Sequence, residues 1–365
     1  MSRACSDRVS QQAEPPTQSP IAGDWGGRQL VARRVTEAFL IGCLVMSRVH
    51  AEDAPQPLGI GMETWSYPHE VHYLPLTIQG HDVRMAYMDV SPEASGSRNG
   101  RTVVLMHGKN FFGAYWEDTI SALARAGYRV IVPDQVGFGK SSKPNLHYSF
   151  HLLASNTKKL LDELGVEKAA VVGHSMGGML ATRFALMYPE TTTHLILDNP
   201  IGLEDYRLKV PWVPTERIYR SVLEKTEEGI RRDFKTYFVE WKSEYERFVE
   251  VHYRWTLGGE YPRLAWASAL TAQMIYEQPV VHEFERLEMP TLLIIGQEDR
   301  TALGKGRVSE EVAATLGQYP QLGRRTAKAI PQGKLVELDG VGHIPHLAAQ
   351  EDFHEALLAF LWEGS

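Results

Sequence analysis

One stretch limits how this chain can fold more tightly than any other: Ala169-Ala170-Val171-Val172-Gly173-His174-Ser175-Met176-Gly177-Gly178. A β-rich run feeds a Gly-x-Ser-x-Gly turn, and a helical pattern, Met179-Leu180-Ala181-Thr182-Arg183-Phe184-Ala185, follows at once. A serine between such elements sits in a sharp strand-to-helix turn where neighbouring Cβ atoms would collide, which is why glycines flank it. The turn lifts the Ser175 hydroxyl to the top of a sheet. The helix that starts at Met176 directs its N-terminal amides toward developing negative charge, so the Met176 N–H is expected to be one oxyanion donor.

A serine hydroxyl is a poor nucleophile near neutral pH and needs a histidine base oriented by an acid. Downstream of such a turn the expected chain order is serine, acid, histidine. Gly340-Val341-Gly342-His343 places a histidine in a glycine-flanked loop just before the last helical pattern, so His343 is the expected base and His346 the fallback. The run Thr291-Leu292-Leu293-Ile294-Ile295 leads into Gly296-Gln297-Glu298-Asp299, which makes Asp299 the expected acid. Asp198, ending the preceding strand pattern before Asn199-Pro200, is the alternative. The second oxyanion donor should come from the loop after the third strand, where Met106-His107-Gly108-Lys109-Asn110 offers the Lys109 amide.

Around these residues the chain alternates strand and helix signals. Val71 to Ile78 and Val83 to Val90 read as strands joined by a turn at Gln79-Gly80-His81-Asp82. Short continuous apolar runs at 102–106, 128–132, 168–172, 194–198, 291–295 and 334–338 suit strands buried on both faces of a parallel sheet. Helical patterns at 116–127, 149–164, 177–188 and 351–362 lie between and after them. This is the order of a doubly wound, mostly parallel eight-stranded α/β sheet with right-handed crossovers.

Residues 201–289 interrupt that alternation with helical, aromatic-rich sequence that includes Tyr206, Trp212, Phe234, Tyr237, Phe248 and Trp255. Inserted between two sheet strands, they are expected to form a helical cap over the strand carboxyl ends. Most of their aromatics should make the cap's own core, and a few should line an apolar substrate pocket. The expected domains are therefore a leader over 1–52, a core over 53–200 and 290–365, and the inserted cap.

His107-Gly108, Asp134 through Gly139, Gly173 through Gly178, Asp299 and Gly342-His343 occur in the order used by the α/β-hydrolase superfamily. Over residues 70–363 the chain resembles the capped serine-hydrolase branch of that superfamily, which includes esterases, C–C bond hydrolases and proline iminopeptidases. Dehalogenases and epoxide hydrolases of that branch carry aspartate where this chain has Ser175, so neither activity is implied. The resemblance implies cleavage of small or medium apolar carboxylic esters through an acyl-enzyme. C–C bond, lactone or perhydrolase activity with the same triad is an alternative, as is a small-molecule receptor on a hydrolase fold. The Gly137-x-Gly139-Lys140-Ser141 stretch lacks phosphate-loop spacing and reads as a structural turn lining the site. The stretch from Thr301 to Gln332 is longer than the family usually needs and is expected to add a helix and loop beside Asp299.

Composition narrows the partners. The 365 residues carry a formal charge of −7, with no basic stripe interleaved with aromatics, so no nucleic acid is expected. The fourteen histidines lack a carboxylate set at metal-ligand spacing, and neither metal nor cofactor is expected. Both cysteines, Cys5 and Cys43, lie in the leader, so the core has no disulfide. Residues 1–30 read as disorder. Arg33-Arg34, the apolar run Ala38 to Met46 and Val49-His50-Ala51 then follow the order of a secretory signal, and nine apolar residues are too few for a membrane span. Leu40-Ile41-Gly42-Cys43 also matches a lipoprotein box. Export with cleavage near Ala51 is expected, and a cytoplasmic protein with an apolar leader helix is the alternative. N-terminal sequencing of protein from its native source should read Glu52 first; an intact Met1 would overturn the export reading.

Overall fold

The computed structural model of the chain describes residues 55–93 and 99–363. The expected leader, its cleavage site and both cysteines lie outside the described residues. Eight strands form one sheet: β1 (His72–Ile78), β2 (His81–Val90), β3 (Thr102–Met106), β4 (Arg129–Pro133), β5 (Ala169–His174), β6 (Thr192–Asp198), β7 (Thr291–Gly296) and β8 (Gly333–Leu338). Their spatial order is β1-β2-β4-β3-β5-β6-β7-β8. β2 runs antiparallel to both of its neighbours, and all pairs from β4 to β8 are parallel.

The apolar runs are strands because both sheet faces are covered. Along β3, Val103 and Leu105 point into one apolar cluster and Val104 and Met106 into the other. The same alternation divides Val130 and Val132 from Ile131, and Leu292 and Ile294 from Leu293 and Ile295. On one face Ile120 and Leu123 of the helix Glu117–Arg125 pack with Phe353, Leu357 and Leu361 of the helix Gln350–Trp362. On the other, Leu153 and Leu160 of the helix Phe150–Glu163 meet Leu180 and Phe184 of the helix Met176–Met187. The Ser149 hydroxyl caps the first of these by accepting from the Leu152 N–H at 3.0 Å.

Two local details differ from expectation. The β1–β2 turn is shorter than the four residues read from sequence: Gln79 and Gly80 alone make it, both with positive φ (49° and 81°), and His81 and Asp82 pair within the strands. That is the mirror-image backbone a two-residue hairpin needs to match strand twist. The 301–332 stretch holds two helices, Glu310–Ala314 and Tyr319–Ala329, rather than one; Tyr319 and Leu322 of the longer helix join the core cluster.

Between β6 and β7 the chain forms helices at Thr215–Leu223, Glu227–Lys235, Glu246–Thr256 and Tyr261–Glu277. Their aromatics pack partly on each other, as Phe238 on Tyr245 (3.8 Å) and Tyr219 on Trp266 (5.3 Å), and partly against the rest of the chain. Phe234, Phe238, Tyr245 and Phe248 belong to the same cluster as Phe111 and Tyr115, with Phe111 5.3 Å from Phe248 and 5.7 Å from Phe234 between ring centroids. The loop after β3 supplies an aromatic anchor that the inserted segment packs around. No helix of the described residues is long and apolar enough to cross a membrane.

The β4 carboxyl end is held by a buried aspartate. Asp134, 1% exposed, accepts from the Tyr67 hydroxyl (2.6 Å), the Gly113 N–H (2.6 Å) and the Lys140 N–H (2.7 Å). Gly139 has a φ of 49°, and a Cβ there would lie 2.1 Å from the Asp134 carboxylate. Replacing Asp134 by alanine leaves these donors buried and unpaired, so Asp134→Ala should lower stability by roughly 3 kcal/mol or more, read as a lower urea midpoint.

Candidate active site

Ser175 sits at the junction of β5 and the helix Met176–Met187 with φ 54° and ψ −119°, a backbone state that costs energy in a residue bearing a side chain. Crowding explains the flanking residues. A Cβ on Gly173 would lie 2.1 Å from the Gly177 carbonyl, one on Gly177 2.1 Å from the Met106 carbonyl, and one on Gly178 2.4 Å from Pro200. β6 secures the turn: the Ser175 N–H donates to the Asp198 carbonyl (3.2 Å), and the Ile201 N–H donates to the Ser175 carbonyl (3.1 Å).

His343 lies in the loop after β8, 2% exposed, its Nε2 2.9 Å from Ser175 Oγ and its Nδ1 2.6 Å from Asp299 Oδ2. Its own N–H donates to the Tyr237 carbonyl at 2.8 Å, so the inserted segment fixes the histidine loop from above. Asp299 follows β7. Besides the imidazole it accepts from Asn199 Nδ2 (2.7 Å) and from the Thr301 N–H (2.7 Å). Burial alone would push its carboxyl up, but the histidine beside it and the Thr301 hydrogen bonds outweigh burial and hold it below the usual carboxylate range.

Asp198 and His346 form a second buried pair. Asp198 Oδ2 is 2.6 Å from His346 Nδ1, and both residues are almost fully enclosed. Here burial wins: it pushes Asp198 up to about 7 and His346 well below the usual imidazole range, so the enclosure disfavours charge on both partners. The two sequence candidates for the acid thus occupy unlike environments. Asp299 has several donors and faces His343; Asp198 has one partner and faces the fallback histidine, with Asp198 Oδ1 and His346 Nε2 unpartnered among the described residues.

His174, Asp198 and His346 bring ligating atoms within 4.8 Å of one another. His174 is engaged on both nitrogens, with Nδ1 3.0 Å from the Tyr115 hydroxyl and Nε2 2.8 Å from the His343 carbonyl. Burial, the largest influence on it, pushes His174 down to about 3, so the ring is neutral and serves as a spacer between the serine turn and the histidine loop.

The loop after β3 completes the floor. The Gln135 N–H donates to His107 Nε2 (3.0 Å), and a Cβ on Gly108 would lie 3.2 Å from the Ser175 Cβ. Met176, first residue of its helix, has no acceptor for its N–H within the helix. No backbone carbonyl among the described residues accepts from the Lys109 N–H. From Lys109 a chamber of about 70 Å³ extends beneath the inserted segment, with Phe111, Phe138, Val222, Ile230, Trp255 and Leu264 among its walls.

Asn199 and Tyr237 are site residues that sequence reasoning passed over. With φ at 37°, Asn199 turns back so that its Oδ1 accepts from the Gly296 N–H (2.6 Å) while its Nδ2 reaches Asp299. An asparagine after a strand-ending aspartate was the available signal, since asparagine tolerates the left-handed region. Tyr237 contributes a backbone carbonyl, which no residue type announces.

Residues 101–349 match the family described as alpha/beta hydrolase fold. The chain is 28% identical over 292 residues to a 2-hydroxy-6-oxononadienedioate/2-hydroxy-6-oxononatrienedioate hydrolase of Paraburkholderia phymatum, covering 77% of this chain and 92% of the relative. It is 43% identical over 108 residues to the enzyme of that name from Comamonas testosteroni, a match spanning only 28% of this chain and 38% of the relative. Among solved structures, a probable hydrolytic enzyme from Pseudomonas aeruginosa PAO1 superposes with a TM-score of 0.82 at 51% identity, over 84% of this chain and 99% of that one. With its eight-stranded sheet and this match over most of its length, the chain belongs to the alpha/beta hydrolase fold family.

Proposed function

We propose that this protein is a serine hydrolase that cleaves carboxylic esters of small acyl groups through an acyl-enzyme. The observation that carries the reading is the unbroken chain from Ser175 Oγ through the His343 ring to Asp299, at 2.9 and 2.6 Å. Ser175 Oγ attacks the ester carbonyl carbon as His343 Nε2 takes its proton. Asp299 accepts from Nδ1–H, which leaves the Nε2 lone pair facing the serine and stabilises the imidazolium that forms. The amides of Lys109 and Met176 receive the oxyanion. Collapse of the tetrahedral intermediate expels the alcohol, which takes the proton from His343. Water then attacks the acyl-enzyme with His343 again as base, releasing the acid and restoring Ser175.

The 201–289 segment acts as a cap in this reading, and the chamber under it sets the acyl group. Its small volume favours short acyl chains. A second reading draws on the relatives' names: a 2-hydroxy-6-oxo dienedioate carries a ketone and carboxylates but no ester, so the same serine set would there act on a C–C bond next to the ketone.

A 4-nitrophenyl ester series from acetate to decanoate should give the highest kcat/KM at short chain lengths, and Ser175→Ala should remove roughly 10⁴-fold or more of the turnover. Equal rates in wild type and Ser175→Ala would refute the serine mechanism. Asp299→Asn should lower kcat by about 10⁴-fold, because the amide favours the wrong tautomer, whereas Asp198→Asn should cost far less. Greater damage at Asp198 would reassign the acid.

A further inference from the structure

The chamber under the inserted segment has walls that are apolar in part, yet its charged lining is all of one sign. Lys109, Lys143 and Lys225 line it together with His252, and no aspartate or glutamate does among the described residues. Among the described residues neither Lys109 nor Lys143 forms a direct ion pair, although the charges of Asp134 and Glu63 reach Lys143. Lys109 Nζ donates to the Ser268 carbonyl (2.9 Å), the Ser268 hydroxyl (3.0 Å) and the Thr271 hydroxyl (3.2 Å), all neutral acceptors. Lys143, 5% exposed, donates to the carbonyls of Ile60 and Gly139. Lys225 is paired with Asp233 at 2.8 Å, but Asp233 is half exposed and does not line the chamber.

An ammonium taken out of water without a counter-ion is costly, and carbonyls and hydroxyls compensate only in part. The cost is visible here: burial pushes Lys109 and Lys143 down to about 7, and Lys225 adds to the effect at Lys109. A purely apolar acyl pocket would have no reason to gather these cations. The lysine that begins the chamber directly follows Gly108, where an added Cβ would lie 3.2 Å from the Ser175 Cβ, so the chamber starts beside the serine.

We propose that this chamber binds an acyl chain ending in a carboxylate, so that the preferred substrates are monoesters of short dicarboxylic acids, with Lys109 and Lys225 as the specificity-determining side chains. The proposal rests on the serine-hydrolase reading and narrows its substrate class. The apolar walls hold the methylene groups, and the cationic end supplies the charge that the terminal carboxylate lacks in a neutral pocket. The alternative is that Lys109 only ties the loop after β3 to the helix Tyr261–Glu277. A tie of that kind would affect neutral and anionic substrates alike, whereas a charge-reading subsite changes their ratio.

The test compares kcat/KM for 4-nitrophenyl hydrogen succinate with that for 4-nitrophenyl butyrate, which replaces the terminal carboxylate by a methyl group. Wild type should favour the succinate ester by about tenfold or more, and Lys109→Met and Lys225→Met should each reduce that ratio at least about tenfold. A wild-type preference for butyrate, or a ratio unchanged in both variants, overturns the proposal. A parallel measurement does not depend on turnover: glutarate binding to Ser175→Ala by calorimetry, with and without Lys109→Met. Binding that the lysine substitution abolishes supports the subsite, and absence of binding to Ser175→Ala overturns it. If wild type hydrolyses neither ester, the ester reading fails, and the glutarate titration still decides the subsite.

Discussion

Backbone packing against backbone at the serine turn is the constraint on which the rest of the site depends. The helix Met176–Met187 lies so close to β3 that the Gly177 Cα faces the Met106 carbonyl with no room for a methyl group, and Gly173 is equally confined by Gly177. That closeness sets Gly108, where an added Cβ would lie 3.2 Å from the Ser175 Cβ, beside the start of the helix at Met176. It also carries a backbone cost at Ser175, whose φ of 54° is sustained by hydrogen bonds to Asp198 and Ile201 on β6 and just beyond it. A bulkier turn would relax, and the serine would lose its presentation.

Two aspartate–histidine pairs lie side by side beneath that turn, and surroundings alone separate them. Asp299 is buried but supplied with donors from Asn199 and Thr301, so its charge is stabilised where it meets His343. Asp198 is as deeply buried and poorly supplied, so its charge is suppressed where it meets His346. The first pair can answer a proton shift on the imidazole. The second is enclosed in the core, with the His346 ring stacked on Trp116 at 4.0 Å. His343 and His346, neighbours within one turn of chain, therefore meet aspartates in unlike surroundings.

The sheet was legible in sequence because its signals are local. A continuous apolar run such as Thr291 to Ile295 is one of few patterns that a strand buried on both faces can have, and Gly173 to Gly178 encodes its turn almost residue by residue. What sequence could not carry were relations between distant backbones. That His343 meets Asp299 while His346 meets Asp198 depends on how distant loops fold back, and the long stretch after Asp299 obscured it. The aromatics of 201–289 do pack on each other, as Phe238 on Tyr245, but composition could not say that Phe111, far earlier in the chain, joins them. The single-sign lining of the chamber likewise emerges only when Lys109, Lys143 and Lys225 are brought together.

The bond from the His343 amide to the Tyr237 carbonyl bears on how such a protein can be diversified. The acceptor is main chain, but position 237 also offers its hydroxyl to Asn110 Nδ2 at 2.8 Å and a ring 5.1 Å from that of His343. Recombining inserted segments between relatives would thus depend on the backbone path and on the residue at 237 together. Exchange of the inserted segment, in this architecture, also transplants one of the supports of the His343 loop.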